Sequence, residues 1–206
     1  MFTGIIERMG RVVYLGRSDG KALSLEIDLG ETNNDAEVGD SVAVNGACLS
    51  ITSKCGRVVS FDVIEETLHK TNLGELSPGS KVNLERSMLL SDRIDGHLVS
   101  GHVDGVGRIT RTEELGDGSI KMWVDAPGDL TSFMVHKGSV ALDGVSLTLV
   151  EIADNSFSVC LIPQTLAHTT LGFKRPEDHV NIEVDMIGKF VKRFLQQMGG
   201  GPPRSV

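Results

Sequence analysis

Aromatic residues are few in this 206-residue sequence: seven Phe, one Tyr and one Trp, 4% in all. Basic residues are outnumbered, 20 Lys and Arg against 28 Asp and Glu, for a net charge of −8. A nucleic-acid-binding barrel needs a basic groove and stacking rings, so nucleic acid is disfavoured as a partner. No apolar run approaches the length of a membrane span, so no membrane partner is expected. The opening MFTGIIERMG lacks a basic segment followed by an apolar one, so no secretory signal is expected either. Only three cysteines occur, Cys48, Cys55 and Cys160, an odd number without paired spacing, which fits reduced thiols in a cytoplasm. There is no CxxC and no His/Cys cluster at ligand spacing, so no metal site is expected. Neither GxGxxG after a strand nor GxxxxGK[ST] appears, so no dinucleotide or P-loop cofactor is expected.

What the sequence does contain is itself, twice. Shifted by 98 positions, SVAVNGACLSI (41–51) falls on SVALDGVSLTL (139–149), FDVIEETLHKTNLG (61–74) on VCLIPQTLAHTTLG (159–172), and KVNLERSM (81–88) on HVNIEVDM (179–186). These pairs share 5 of 11, 6 of 14 and 4 of 8 identities without a gap. At a shift of 97, Thr3-Gly4-Ile5-Ile6-Glu7 falls on Ser100-Gly101-His102-Val103-Asp104. Chance resemblance of short β-rich segments does not produce four matches in one order at nearly one offset. The chain therefore holds two homologous halves, with the boundary at Asp95-Gly96.

Each half reads as β. Apolar runs at 41–44 and 139–142 are followed by Asn45-Gly46 and Asp143-Gly144, pairs that favour the type I′ turn of a tight hairpin. Further strands are expected at 10–15, 23–29, 58–63 and 82–86, with counterparts in the second half. Residues 67–73 and 165–171 read as short helical links, and 130–135 as another. About six short strands per half predict an all-β fold of two small antiparallel barrels. After Met186 the pattern changes: Ile187, Phe190, Val191, Phe194, Leu195 and Met198 form one apolar helix stripe, with Lys189, Lys192 and Arg193 off it. Two readings stand, a helix packed on its own barrel and an oligomer contact. The expected organisation is a first barrel at 1–96, a second at 97–186, a helix at 187–198, and a disordered Gly/Pro-rich tail at 199–206.

Two similar barrels offer two similar pockets. Where matched positions differ, one ancestral site has room for two roles. Cys48 matches Ser146, Ser50 matches Thr148, Ile5 matches His102, Asp62 matches Cys160 and Glu66 matches Gln164. A thiol, hydroxyls and an imidazole at strand ends are the parts of proton transfer and nucleophilic addition. Singly, each has an ordinary explanation: Cys48 as a small core residue, His102 as a structural histidine, Ser146 and Thr148 as strand residues bonded to backbone. Their meeting at symmetry-related positions beside Gly4, Gly46, Gly101 and Gly144 makes them candidates together.

The opening Met1-Phe2-Thr3-Gly4-Ile5-Ile6-Glu7, the hairpin VNGACL (44–49), TNLG (71–74), VNLER (82–86), GHLVSGHVDG (96–105) and the segment from Lys137-Gly138 to Leu147-Thr148 resemble the riboflavin synthase and lumazine protein family. The resemblance covers about residues 1 to 195, and its motifs recur in order in both halves. It implies two six-stranded Greek-key barrels, a C-terminal helix that assembles a homotrimer, and no cofactor. It implies binding of 6,7-dimethyl-8-ribityllumazine, one per barrel, with the first barrel of one subunit facing the second of a neighbour. By the same resemblance, one lumazine is expected to lose a proton from its acidic C7 methyl and attack the other, and a four-carbon unit to pass between them. Docking to a lumazine synthase shell is left open.

The resemblance also carries residues over. Cys48 and Ser146 are implied to contact or add to the ring, His102 and Thr148 to assist proton transfer, and Ser41 and Asp185 to be catalytic polar positions. The implied binding segments are Gly4, Ile5 and Ile6; Cys48, Leu49 and Ser50; Asp62, Val63, Ile64, Glu65, Glu66 and Thr67; Gly101, His102 and Val103; Lys137; Ser146, Leu147 and Thr148; and Ile162, Pro163, Gln164, Thr165, Leu166 and Ala167. Lumazine proteins, which bind without turnover, are the rival within the family. They depart from the pattern at the opening threonine and at Gly-His after the boundary, where this sequence has Thr3, Gly101 and His102.

Overall fold

The structure, a computed structural model, describes residues 1–17, 23–30 and 36–198. It contains two closed six-stranded antiparallel barrels and a C-terminal helix. The first barrel comprises β1 (Arg8–Arg17), β2 (Leu23–Asp28), β3 (Ser41–Val44), β4 (Ala47–Cys55), β5 (Val58–Val63) and β6 (Lys81–Arg86), closed in the order β1-β2-β5-β4-β3-β6. The helix α1 (Glu65–Lys70) and a 3₁₀ turn link β5 to β6. The second barrel repeats this with β7 (Gly105–Glu114), β8 (Ile120–Asp125), β9 (Ser139–Leu142), β10 (Val145–Ile152), β11 (Ser156–Leu161), α2 (Pro163–His168) and β12 (His179–Val184). The expected tail at 199–206 lies outside the described residues.

Alternation builds each core. In β2, Leu25 and Ile27 point inward while Ser24, Glu26 and Asp28 point out; in β5, Val59, Phe61 and Val63 point inward. Bulges in β1, β4, β7 and β10 supply the bend a small barrel needs to close.

The two hairpin turns have positive φ at both central residues: 45° and 79° at Asn45 and Gly46, 44° and 81° at Asp143 and Gly144. That is the type I′ turn the sequence predicts, and it has a second use. The turns meet back to back: a Cβ on Gly46 would lie 2.7 Å from the Gly144 nitrogen, so only glycine permits the contact. Around it runs a buried crossed network. Asn83 Nδ2 donates to the Asp143 carbonyl (2.9 Å), and Asn181 Nδ2 donates to the Asn45 carbonyl (2.8 Å). The Thr170 amide donates to Asn83 Oδ1 and the Asn72 amide to Asn181 Oδ1, both at 2.7 Å. Each asparagine thus spans from its own barrel to the other, which fixes their relation by a pseudo-two-fold axis.

The helix α3 (Met186–Met198) has no buried residue. It rests on its own barrel through Gly188, where a Cβ would lie 2.5 Å from the Phe133 carbonyl oxygen, and through Lys192, which bonds Asp129 at 2.6 Å. Its apolar stripe is largely exposed, Phe190 by 72% and Met198 by 71%, while Ile187, Val191 and Leu195 line an open cavity against Phe133 and Ser139. The helix thus does rest on its own barrel, while its apolar stripe stays largely exposed. Among the described residues, no helix is long and apolar enough to cross a membrane.

Candidate active site

The outward faces of β3–β4 and β9–β10 carry the two sets of differing residues. Ser41 pairs with Ser50, and Cys48 lies one alternation further along β4. Asp62, on the neighbouring strand β5, is one step beyond the Ile51–Phe61 pair and so adjoins Ser50. The second barrel matches: Ser139 pairs with Thr148, Ser146 lies one alternation along, and Cys160 adjoins Thr148 beyond the Leu149–Val159 pair. Leu49, Val63 and Leu147 are buried in the cores, so they offer a ligand only backbone groups. Ser50, Asp62, Ile64, Glu65, Glu66, Thr148, Ile162, Pro163, Gln164 and Ala167 are exposed, and Thr67, Thr165 and Leu166 half-buried. Both surfaces are therefore open within one chain. Lys137, also exposed, adopts a φ of 63°, in the left-handed region where its counterpart Gly39 sits without strain. A lysine held there costs about 1 kcal/mol, a cost that clusters at functional positions.

Sequence halves suggest that each site is built from its own half. The structure instead exchanges the segments that precede the barrels. Gly4 docks on the second barrel, its carbonyl accepting the Ser146 amide at 2.8 Å, and Ile6 packs on that barrel's core. Gly101 docks on the first, its carbonyl accepting the Cys48 amide at 2.8 Å, and Val103 packs on the first core. The two straps cross at an antiparallel bridge between Phe2 and Val99, which form a small separate core with Ala43 and Ala141. Both glycines are required by space as well as by φ: a Cβ on Gly4 would lie 2.6 Å from Ser146 Cβ, and one on Gly101 2.5 Å from Cys48 Cβ.

One surface therefore gathers Cys48, Ser50, Ser41, Gly101, exposed His102 and Val103; the other gathers Ser146, Thr148, Gly4, Ile5 and Ile6. His102 and Thr148 lie on different barrels of one chain. Asp185, between β12 and α3, accepts the Ile187 amide at 2.9 Å and lines a cavity of about 600 Å³ beneath α3 with Ser139 and Phe133. A second cavity of about 590 Å³ contains Ser41, Ile5 and Thr3. Neither cavity contains Cys48 or Ser146.

The hydroxyl of Ser146 has a partner that sequence reasoning missed. His97 Nδ1 lies 2.7 Å from Ser146 Oγ, while its buried Nε2 meets no partner among the described residues. Burial pushes the His97 pKa below the ordinary imidazole value, against a smaller upward pull from Asp185. The ring is thus neutral near pH 7 and able to exchange a proton with the hydroxyl. Gly96 makes room, since a Cβ there would meet the Thr3 carbonyl at 2.1 Å. Among the described residues, no imidazole hydrogen-bonds Cys48. The halves thus differ as a half-buried thiol differs from a hydroxyl paired with a neutral histidine.

Two buried glutamates were also missed. Glu85 on β6 and Glu183 on β12 are each 4% exposed, and each receives three hydrogen bonds from a strap. Burial raises the pKa of both; bonds from Thr3 and Gly4 at Glu85, and from Ser100 and Gly101 at Glu183, pull the other way. The signal was present: Glu85 and Glu183 are identical across the repeat, as are Asn83 and Asn181. Attention to differences between halves passes over residues kept because both halves need them.

Comparison with known proteins agrees with this architecture. Residues 3–87 and 100–185 each match the lumazine binding domain family. The solved structure of LumP complexed with 6,7-dimethyl-8-(1'-D-ribityl) lumazine superposes with a TM-score of 0.79 at 25% identity, covering 89% of this chain and 99% of that one. LumP complexed with riboflavin gives 0.80 at 27%, with the same coverage. Fold and paired sites thus define a class, the duplicated lumazine-binding barrels. Within it, the riboflavin synthase of Actinobacillus pleuropneumoniae is 40% identical over 207 aligned positions, covering all of this chain and 94% of the relative. That of Bacillus subtilis (strain 168) is 44% identical, covering 96% and 91%. The chain belongs to the riboflavin synthase family.

Proposed function

We propose that this chain is an enzyme that converts two molecules of 6,7-dimethyl-8-ribityllumazine into one riboflavin and one 5-amino-6-ribitylamino-2,4-pyrimidinedione. The observation that carries the proposal is the pair of homologous sites with unlike chemistry: a Cys48 thiol under one strap and a Ser146–His97 pair under the other. Two copies of one substrate then occupy two related sites, one as donor and one as acceptor of the four-carbon unit. A non-catalytic binding protein is the rival, since LumP is a structural neighbour. The relatives named riboflavin synthase are 36–44% identical, against 25–27% for LumP, and so favour the enzyme.

In the mechanism we propose, a group among Cys48, Ser146 and bound water adds to one lumazine ring, and the C7 methyl of the other loses a proton to a base. His102 and Thr148 are the candidates for that proton. They lie on different barrels, so they meet only if the first barrel of one chain faces the second barrel of another. The exposed stripe of α3 supplies a reason for such assembly. Burying each of its large side chains is worth about 1.5–3 kcal/mol. We therefore propose a homotrimer held by α3, with sites formed between subunits. Holding two rings face to face removes much of the entropy cost of a bimolecular reaction. Ser41, Asp185 and Lys137 would act as polar supports at the rims, and the exposed groups around Glu66 and Gln164 would meet the ribityl hydroxyls. Free cysteines, with Cys55 exposed, suit a reducing compartment, and cytoplasm is the proposed location. A lumazine synthase is a second candidate partner.

The test is direct. Purified protein incubated with the lumazine should convert its absorbance and fluorescence spectrum to that of riboflavin. A spectrum that shifts on binding and then stays constant would assign the chain to the binding proteins instead.

A further inference from the structure

Glu85 and Glu183 sit at identical places in the two barrels, and the side chain of each bonds the strap that docks on the other barrel. Glu85 Oε1 accepts the Thr3 amide (2.6 Å) and the Thr3 hydroxyl (2.7 Å), and Oε2 accepts the Gly4 amide (3.0 Å). The Gly4 carbonyl in turn accepts the Ser146 amide on the second barrel, and the Thr3 carbonyl accepts the His97 amide. Glu183 Oε1 accepts the Ser100 amide (2.6 Å) and hydroxyl (2.7 Å), and Oε2 accepts the Gly101 amide (2.9 Å). The Gly101 carbonyl accepts the Cys48 amide on the first barrel, and the Ser100 hydroxyl accepts the His102 amide at 3.2 Å.

We propose that Glu85 and Glu183 are crossed positioning residues: each, anchored in one barrel, fixes the strap that completes the site on the other. This rests on the reading of the two surfaces as paired substrate sites. The chemistry of the clamp explains why glutamate stands there. A buried carboxylate without a bonded cation is costly, and what offsets it is full use of its acceptors. Each carboxylate faces donors only, two backbone amides and a hydroxyl. Glutamine keeps the shape but turns one acceptor into an NH₂ donor. With its oxygen on the Thr3 side, the NH₂ confronts the Gly4 amide. Aspartate is one methylene too short for the same reach. The clamp therefore holds a strap whose inner end is one carbonyl, and that carbonyl sets where Ser146 or Cys48 stands.

Crossing makes the proposal testable in a way that general destabilisation cannot imitate. In the full chain, amide hydrogen exchange should be compared for peptides containing Ser146 and Cys48. Glu85→Gln should speed exchange at the Ser146 amide by about tenfold, the loss of roughly one hydrogen bond, and leave that of Cys48 unchanged. Glu183→Gln should do the reverse. Both should lower kcat with a smaller effect on KM. Exchange that quickens in the variant's own barrel, in both barrels alike or in neither would overturn the proposal. If a glutamine variant does not fold, Thr3→Val and Ser100→Ala remove the hydroxyl arm of each clamp, together with its bond from the Ile5 or His102 amide, and should show the same crossed pattern at smaller amplitude. The exchange measurement uses no lumazine, so its failure is distinguishable from failure of the assigned reaction, which the unmodified chain's turnover tests.

Discussion

Replacing Gly101 by alanine should disable the first-barrel site while leaving most of the fold in place. The added Cβ would lie 2.5 Å from Cys48 Cβ and 3.0 Å from the Cys48 nitrogen. Non-bonded carbons settle at about 3.5–4.0 Å, so the strap must retreat by roughly 1 Å or more. The 2.8 Å bond from the Cys48 amide to the Gly101 carbonyl does not survive that movement. Losing it costs about 1 kcal/mol, and the φ of 81° adds about 1–2 kcal/mol for a residue with a side chain. The sum, about 2–3 kcal/mol, corresponds to a fall of roughly 30- to 150-fold if it all appears in the productive geometry. The assay is kcat/KM for riboflavin formation beside a urea denaturation curve. Gly79→Ala is the control: its φ is 95° but its added Cβ meets nothing within 4 Å, so it should lose stability and keep turnover. Full turnover in Gly101→Ala, or equal losses in both variants, would refute the idea that the crossed strap forms the site.

Cys48→Ala should lower turnover by about 100-fold or more, Cys48→Ser less because Ser146 fills the matched position, and Cys55→Ala should change rates little; steady-state rates decide, and full activity in all three would remove Cys48 from the chemistry. Truncation after Met186 removes the exposed stripe of α3 and should leave folded monomers of low activity, which sedimentation would reveal; a truncated chain that stays trimeric would show that the barrels assemble unaided. His97 gives a pH signature. Its folded pKa is depressed, so the stability it contributes is present above the ordinary imidazole pKa and is lost as pH falls through the depressed value. Between neutrality and pH ~5, the unmodified chain should lose urea resistance more steeply than His97→Gln; parallel curves would mean that His97 is not buried neutral.

The architecture was legible because it rests on local rules repeated twice. Alternation marked the strands, Asn45-Gly46 and Asp143-Gly144 marked the hairpins, and the 98-residue offset made each half a check on the other. The spacing from Ile187 to Met198 gave α3, although how exposed its stripe would be was not in the pattern: Gly188, Lys189 and Lys192 make its close contacts with the rest of the chain. The composition of each site was less legible. Thr3-Gly4 and Ser100-Gly101 stand beside their own barrels in sequence, and nothing local says that each crosses to the other. That exchange is a tertiary fact, set by the Phe2–Val99 bridge and by Glu85 and Glu183. His97 was overlooked for a related reason. At an offset of 97 its counterpart would precede Met1, so the repeat could not point to it, and its partner Ser146 is 49 residues away.

The central claim is that two identical molecules react on one protein, one giving four carbons to the other. The most direct measurement is the stoichiometry of conversion by dialysed protein, with a chelator present and oxygen excluded. Two lumazines should disappear for each riboflavin formed, with one 5-amino-6-ribitylamino-2,4-pyrimidinedione appearing alongside. A one-to-one yield, or a requirement for added metal, nicotinamide or oxygen, would contradict the reading of two unlike sites as donor and acceptor.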